Sequence, residues 1–162
     1  MARVVVLASL VASTSVFASD GDPCMDRGVA IQVDTQAGIL RLCRANATYK
    51  QFPVAVGSGG RGKGAEGDQK TPLGRYALGS PRASAKFHLF IPVCYPTAEQ
   101  RRQGATGGDV GVHGPKRGLR WAGKANTWLN WTRGCIAVAS DEAIAEIAAW
   151  VRREKPAWIH LE

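Results

Sequence analysis

The chain is 162 residues long, carries a formal net charge of +8, and is 45% hydrophobic and 21% charged. This length and composition are typical of one globular domain with a buried core. The positive charge favours an anionic partner such as a cell wall or a membrane surface. Nucleic acid is a poor fit, because the cations are scattered along the chain and no recognition motif is present.

The first 18 residues have the features of a secretory signal peptide. Arg3 precedes an apolar run over residues 4–17, which is too short and too rich in Ser and Thr to be a good membrane span. Small and apolar residues suit cleavage near Ala18, and no cysteine follows directly to accept a lipid. We therefore expect a signal peptide over residues 1–18 and an exported domain over residues 19–162, in the periplasm or elsewhere outside the cytoplasm, which meets the membrane only during export.

Alternating apolar and polar residues predict a mostly β domain. The first strand is predicted over residues 28–34, with Val29, Ile31 and Val33 on one face, and a turn leads into a second strand over residues 39–44. A short helix is predicted over residues 98–103. Further strands are predicted over residues 52–56, 75–78, 87–92, 136–138 and 158–161.

A glycine-rich stretch over residues 57–64 follows the third predicted strand. The order of strand, GxxxxGK[ST] and helix that a phosphate-binding loop requires is absent. We interpret the stretch as a flexible loop that borders the functional site.

A helix is predicted after the strand at 136–138. Ser140 would cap its start, and Asp141 and Glu142 would lie at its positive end. Pro156 would end it. Apolar residues recur at helical spacing, at Ile144, Ile147, Ala148 and Val151. This helix is expected to clamp onto the sheet and to fix the direction of the residue that precedes the strand.

Cys135 and His113 are the candidate nucleophile and base. A thiol reacts as the thiolate, so Cys135 needs a neighbouring base, and Gly134 would let the backbone approach a substrate carbonyl. A structural cysteine and a structural histidine are the competing interpretation. The polar, glycine-flanked surroundings favour catalysis. The other histidines, His88 and His160, lie in predicted strands away from this motif and are expected to be structural or exposed.

These residues resemble the signature of the YkuD-type L,D-transpeptidases. Residues 107–114, Gly-Gly-Asp-Val-Gly-Val-His-Gly, are followed after a spacer by Thr-Arg-Gly-Cys-Ile at 132–136. Upstream, residues 67–76 read Gly-Asp-Gln-Lys-Thr-Pro-Leu-Gly-Arg-Tyr, which is similar to the Lys-Thr-Pro-x-Gly-x-Tyr segment of the family. Tyr-Pro-Thr at 95–97 adds to the match. The motifs occur in the expected order, and the resemblance extends over about residues 28–153.

The resemblance implies a β sandwich or barrel-like fold and a cysteine acyl-transfer enzyme that acts on peptidoglycan stem peptides in cell wall remodelling. Cys135 would attack a peptide carbonyl and form a thioacyl-enzyme, His113 would move the proton, and the backbone carbonyl of Gly114 would orient the imidazole. A second stem peptide would then accept the acyl group. The resemblance implies no metal or organic cofactor, and we expect a monomer.

One position departs from the family pattern. Arg133 stands where most members have a histidine directly before the Gly-Cys pair. As a cation beside the nucleophile it would lower the pKa of the thiol or bind a substrate carboxylate, and a side chain that only points to solvent is the competing interpretation. With Thr132 and Gly134 it forms the candidate oxyanion and substrate-binding set. The sequence also resembles a subgroup with Trp-Thr-x-Gly-Cys-Ile-Ala, some of whose members hydrolyse rather than cross-link. A carboxypeptidase or endopeptidase outcome therefore stays open.

Three other protein classes fit less well. A sortase-like transpeptidase would need Thr-Leu-x-Thr-Cys around the nucleophile, and a papain-like peptidase would place its cysteine before its histidine. Neither pattern is present. A non-catalytic cell-wall-binding module would explain the basic charge and the aromatic residues, but it would not need a free thiol.

Three tryptophans, Trp121, Trp128 and Trp131, lie between His113 and Cys135. Loops seldom expose several large aromatic side chains. We expect these tryptophans to wall the cleft or to pack beneath the inserted segment.

The remaining cysteines are Cys24, Cys43 and Cys94. Export permits disulfides, but Cys135 must stay reduced, so at most one pair forms among the other three. We predict the pair Cys24 and Cys43, because one lies just before the first hairpin and the other in its second strand. Zinc is a less plausible alternative, because no CxxC or HxxxH spacing occurs.

Overall fold

The computed structural model describes residues 21–162, so the predicted signal peptide at 1–18 lies outside the described residues. Within residues 21–162, nine strands form one curled sheet in the order β4-β9-β1-β2-β3-β8-β7-β6-β5. The strands are β1 (Ala30–Asp34), β2 (Ile39–Arg44), β3 (Ala47–Ala55), β4 (Gly74–Ala77), β5 (Arg82–Ser84), β6 (His88–Pro92), β7 (Gly111–His113), β8 (Ile136–Val138) and β9 (Trp158–Leu161). The predicted mostly β fold is confirmed.

The sheet connectivity brings two distant segments together. Strands β1, β2 and β3 form an antiparallel meander, and β3 continues the sheet by pairing with β8. Strand β8 then lies parallel to β7, with Val112 opposite Ile136 and His113 opposite Ala137. The chain between β7 and β8 folds beside the sheet as two short 3₁₀ helices within Arg117–Thr127, separated by a kink at Gly123. The residues around His113 and Cys135 therefore become neighbours in space.

Two α-helices accompany the sheet in the described part of the chain, α1 (Ala98–Arg102) and α2 (Asp141–Glu154). The Ser140 side chain accepts a hydrogen bond from the amide of Ala143, which satisfies one donor at the start of α2, as predicted. The helix ends at Glu154, where Lys155 adopts a left-handed conformation. Its predicted apolar face is buried in the main core together with Trp150. Within residues 21–162, no helix is both long and apolar enough to span a membrane.

The first strand is buried on both faces, whereas the alternating pattern predicts one buried face. Gln32 is buried because its side chain donates to Glu162 and accepts from Arg41. Ala30 packs against a disulfide between Cys24 and Cys43. The predicted disulfide pairing is thus confirmed, and it anchors the segment before β1 to the first hairpin.

The start of the glycine-rich stretch is closely packed at Gly57 and Gly59, which differs from the flexible loop predicted for it. A side chain at Gly57 would meet the carbonyl oxygen of Gln69 at 2.2 Å, and one at Gly59 would meet that of Asp68 at 2.3 Å. The hydroxyl of Thr71 accepts a hydrogen bond from the amide of Gly57. These glycines allow the stretch to lie directly against the Lys-Thr-Pro segment. The two loops form one layer beside the nucleophile.

Candidate active site

His113 is held at the end of β7 among aromatic rings. Its side chain is buried and stacks on Phe87, with ring centroids 3.8 Å apart, while Trp131 meets it edge-on at 5.9 Å. Nδ1 of His113 donates a 2.6 Å hydrogen bond to the carbonyl oxygen of Gly114. Since a carbonyl oxygen only accepts, Nδ1 carries the proton of the neutral ring, and Nε2 is left as the basic nitrogen.

Cys135 directly precedes β8, and His113 ends β7, its parallel neighbour in the sheet. His113 and Cys135 also line the same cavity of about 630 Å³. The structure therefore brings the predicted pair together.

Both groups are neutral in the resting site. Burial lowers the pKa of His113 to about 4, although its hydrogen bond with Gly114 acts in the opposite direction. Burial raises the pKa of the Cys135 thiol to about 11, and the charge of Asp109 raises it further, whereas a backbone hydrogen bond from Gly111 and the charge of Lys63 oppose that rise. The sequence predicts that the imidazole of His113 takes the proton of Cys135 and leaves a thiolate. The resting site instead holds a thiol and a neutral base, because desolvation disfavours both charges.

A short turn sets the direction of the nucleophile. The buried hydroxyl of Thr132 donates to the carbonyl oxygen of Cys135 at 2.7 Å and accepts from the amide of Gly134 at 3.1 Å. The sulfur of Cys135 in turn donates to the carbonyl oxygen of Asp109 at 3.3 Å. The amide of Gly134, predicted to face the oxyanion, is thus already engaged by Thr132.

Gly134 also connects the nucleophile to the Lys-Thr-Pro segment. Its φ of 120° favours glycine, and a Cβ there would lie 2.6 Å from the carbonyl oxygen of Lys70. No side chain fits in that space. The two motifs that the sequence places far apart therefore touch at this position.

Two cavities meet at Cys135. The first, of about 860 Å³, has a polar lining that includes Lys63, Glu66 and Asp109. The second is the cavity that contains His113, and Phe87 and Trp131 supply its aromatic wall. Cys135 and Arg133 line both cavities. Arg133 is exposed, so its guanidinium is accessible to a carboxylate in either cavity.

Lys63 and Asp68 form an ion pair at the edge of the first cavity that sequence reasoning missed. The Lys63 side chain is only 4% exposed, and its Nζ lies 2.9 Å from Asp68 Oδ1. Burial of Asp68 acts to raise its pKa, but hydrogen bonds from Ala65, Lys63, Lys70 and Gly64 outweigh it and lower the pKa. Asp68 could have been singled out, because it lies in the Gly-Asp-Gln-Lys-Thr-Pro motif that carries the family resemblance. Lys63 could not be recognised in the sequence, because nothing there distinguishes this buried lysine from the exposed ones.

The three tryptophans do not share one role. Trp131 lines the second cavity and donates to the carbonyl oxygen of Asn126, in agreement with the predicted wall. Trp121 and Trp128 are 84% and 77% exposed, so they neither wall the cleft nor pack beneath the segment, and the prediction is wrong for both. His88 is exposed, and His160 contacts Arg27, as expected of residues outside the site. In residues 21–162, no group of three or more His, Cys, Asp and Glu side chains is placed to hold a metal ion.

Comparison with protein families identifies one match that covers most of the chain. The family model described as YkuD, L,D-transpeptidase catalytic domain, matches residues 28–159. No curated protein sequence is similar enough to match. The matched range contains both Cys135 and His113.

Solved structures support the same fold. The helical cell shape determining protein Pgp2 from Campylobacter jejuni is 24% identical with a TM-score of 0.68, and the match covers 88% of this chain and 51% of that one. Bd1075 from Bdellovibrio bacteriovorus is 21% identical with a TM-score of 0.60, covering 85% and 48%. An L,D-transpeptidase from Mycobacterium smegmatis is 15% identical with a TM-score of 0.53, covering 83% and 58%. The chain spans about half the length of the first two proteins.

Proposed function

The chain belongs to the L,D-transpeptidase catalytic domain family, and from this premise we propose that it is an exported cysteine acyltransferase acting on peptidoglycan stem peptides. The observation that carries the proposal is the position of Cys135 where two cavities meet, with His113 in one of them. An acyl transfer between two peptides needs a nucleophile that is accessible from two sides. A non-catalytic wall-binding module would need neither the second opening nor a free thiol.

The first step is attack by the sulfur of Cys135 on a peptide carbonyl of the donor stem. Nε2 of His113 takes the thiol proton as the bond from sulfur to carbon forms, because neither group is charged beforehand. Backbone amides at the nucleophile turn stabilise the oxyanion, and we assign the amide of Cys135 to this role, since that of Gly134 is bound to Thr132. The bond from carbon to nitrogen then breaks, and the departing amine takes the proton from His113.

The second step uses the same base in the opposite direction. An incoming amine, or water, attacks the thioester and gives its proton to His113, the bond from carbon to sulfur breaks, and His113 returns the proton to the sulfur of Cys135. Since His113 serves both the departing and the incoming nitrogen, both occupy the second cavity, which His113 lines. The acyl part of the donor then lies in the polar first cavity, where Arg133 is available for a stem carboxylate.

Transfer and hydrolysis differ only in the acceptor. The Trp-Thr-Arg-Gly-Cys-Ile-Ala stretch at 131–137 resembles a subgroup with hydrolytic members, so water is the alternative acceptor. The second cavity, with its aromatic wall and the rim cations Lys86, Lys116 and Arg117, has room for a stem peptide. This cavity supports transfer as the principal reaction.

Purified muropeptides test the proposal. The mature protein is incubated with disaccharide tetrapeptides, and the products are identified by mass. Cross-linked dimers support transfer, and tripeptides with a free terminal amino acid support hydrolysis. If neither product forms, and if a carbapenem does not add covalently to Cys135, the proposed chemistry is wrong. The Cys135→Ala variant serves as the control for both measurements.

Export is part of the proposal. The disulfide between Cys24 and Cys43 fits an oxidising compartment, and the apolar run before it suits a cleaved signal peptide. Fractionation of cells that express the full chain, followed by the intact mass of the protein, tests this point. Protein that remains in the cytoplasm with residues 1–18 attached would argue against it.

A further inference from the structure

The segment between β7 and β8 exposes aromatic residues among cations. Residues 115–129 contain four Lys or Arg residues and no Asp or Glu. Trp121 is 84% exposed, Trp128 77% and Leu129 78%. Exposed aromatic side chains concentrated in one short segment mark a site of interaction, and the positive charge favours an anionic ligand. The catalytic assignments above give no role to these three exposed side chains. We call residues 115–129 the tryptophan segment.

The tryptophan segment is fixed to the domain by its own polar contacts. Nε1 of Trp121 donates to the carbonyl oxygen of Gly118 at 3.0 Å. The buried Asn126 side chain donates to the carbonyl oxygen of Leu119 at 2.9 Å, and Arg120 forms an ion pair with Asp141 of α2 at 2.7 Å. The backbone is therefore tied at several points. A planar ring held in advance loses little conformational entropy when a ligand stacks on it.

The tryptophan segment is continuous with the second cavity. Lys116, Arg117 and Gly118 line that cavity together with His113 and Cys135. The indole of Trp121 donates to the carbonyl oxygen of Gly118, so this ring lies directly beside the lining of the cavity. The occupant outside the cavity is thus expected to be an extension of the molecule inside it.

We propose that the tryptophan segment is a docking surface for the peptidoglycan polymer outside the reactive cleft. This inference rests on the proposed function, which places a stem peptide in the cavity. The polymer has the two features that the segment requires, since sugar rings present flat C–H faces that stack on indoles, and stem peptides carry carboxylates that pair with Lys and Arg. A lipid bilayer also attracts tryptophan and cations. A bilayer requires neither the held ring of Trp121 nor continuity with a reactive cavity.

Co-sedimentation with insoluble peptidoglycan tests the docking surface. All proteins carry Cys135→Ala, so that no substrate is consumed, and the double variant Trp121→Ala/Trp128→Ala is compared with the parent. We expect the double variant to bind about tenfold more weakly, equivalent to roughly 1.4 kcal/mol. Trp158→Ala is the matched control, because Trp158 is a partly exposed tryptophan on β9, and its binding should be unchanged. Thermal unfolding of each variant shows whether the fold is retained.

A charge variant tests the docking surface without changing an aromatic residue, and a second substrate tests it through turnover. Lys124→Glu should weaken binding to the polymer, and added salt should reduce the difference from the parent. With Cys135 intact, the double variant should lose turnover of the polymer by a larger factor than turnover of a free muropeptide, because the free muropeptide ends at the cavity. An equal loss on both substrates would overturn the docking surface.

The possible failures are distinguishable. Peptidoglycan binding that depends on both tryptophans, without turnover of any substrate, supports the docking surface and refutes the proposed chemistry. Turnover of muropeptides together with unchanged peptidoglycan binding by the double variant overturns the docking surface alone. Tryptophan-dependent binding to phosphatidylglycerol vesicles, with a blue shift of indole emission and no binding to peptidoglycan, overturns it in favour of a membrane.

Discussion

His113 donates its Nδ1 hydrogen to the carbonyl oxygen of Gly114 across 2.6 Å, and this contact between neighbouring residues determines which ring nitrogen is basic. With Nδ1 occupied, Nε2 keeps its lone pair. Stacking on Phe87 fixes the plane of the ring. The same aromatic enclosure lowers the pKa of His113, since it removes water from the charged form. The base is therefore oriented and unprotonated before a substrate arrives.

Alkylation of Cys135 should report the neutral state of the thiol. Its pKa is raised to about 11, so the reactive thiolate is a small fraction at pH 7 and grows tenfold with each pH unit up to that value. We expect the rate of reaction with iodoacetamide to rise continuously between pH 7 and pH 9.5. Intact mass measured over time gives this rate. A plateau near pH 7 would instead indicate a preformed thiolate and imidazolium pair.

The alkylation measurement must be made on a variant that lacks the other free cysteine. Cys94 is a free, exposed cysteine and would react in parallel, whereas Cys24 and Cys43 are bonded to each other. Cys94→Ser removes that signal, and Cys135→Ala in the same background gives the baseline.

The stability of the domain should depend on pH through His113. The pKa of histidine in an unfolded chain is about 6.5, and in the fold that of His113 is about 4, so the unfolded state binds the proton first as the pH falls. The free energy of unfolding should therefore decrease between about pH 6.5 and 4, by about 3 kcal/mol for this one group. Urea unfolding at pH 7.5 and at pH 4 measures the loss.

Two variants isolate the contribution of His113 to acid sensitivity. His113→Gln cannot bind the proton, so the difference in its stability between pH 7.5 and pH 4 should be smaller by about 3 kcal/mol. His88→Gln removes an exposed histidine and should keep the dependence of the parent. If His113→Gln loses as much stability on acidification as the parent, His113 is not the group responsible.

Much of the secondary structure could be predicted from local pattern. Strands β2 and β9 and the buried face of α2 follow from alternation or helical spacing, and β8 from its short apolar run. Strands β5 and β7 were missed because each has three residues, too few to show a period, and neither is a continuous apolar run. The burial of Gln32 depends on Glu162, which lies 130 residues away in the sequence, as well as on Arg41 across the hairpin. Partners of that kind leave no local signal.

In the candidate site, too, some residues could be predicted from the sequence and others could not. Motifs identify Cys135 and His113, because the chemistry restricts which residue types serve at those positions. The ring that stacks on His113, Phe87, and the carbonyl oxygen of Asp109 that binds the thiol act through position and backbone, so their residue types carry little information. The neutral charge state also depends on enclosure, which the sequence does not give.

The Thr132 hydroxyl should be required to position the nucleophile. It bonds both the amide of Gly134 and the carbonyl of Cys135, so Thr132→Val leaves two buried groups without this partner and should destabilise the domain by about 1 to 3 kcal/mol. Each 1.4 kcal/mol of lost transition-state stabilisation lowers kcat/KM about tenfold. Thr132→Ser keeps the hydroxyl and should restore most of the activity. Muropeptide kinetics together with urea unfolding test both expectations, and equal activity of the Val and Ser variants would exclude a role for the hydroxyl.

Arg133 should act on substrate and not on stability. Its side chain is exposed at the junction of the two cavities, and the positive charge that lowers the pKa of Cys135 comes from Lys63. Arg133→Ala should therefore leave the alkylation rate of Cys135 and the midpoint of urea unfolding unchanged. Hydrogen bonds to charged groups contribute about 1.5 to 3 kcal/mol, so kcat/KM for a stem peptide should fall about ten- to hundredfold, mainly through a higher KM.

Three comparisons separate carboxylate recognition by Arg133 from a general charge effect. Arg133→Lys keeps the charge but loses the planar, two-pronged contact, so it should recover only part of kcat/KM. Arg101→Ala removes an exposed arginine from α1 and should have wild-type kinetics. A muropeptide whose stem carboxylates are amidated should lose less on Arg133→Ala than the free acid, because the interaction partner is already absent. Equal losses on the two substrates would show that Arg133 does not bind a substrate carboxylate.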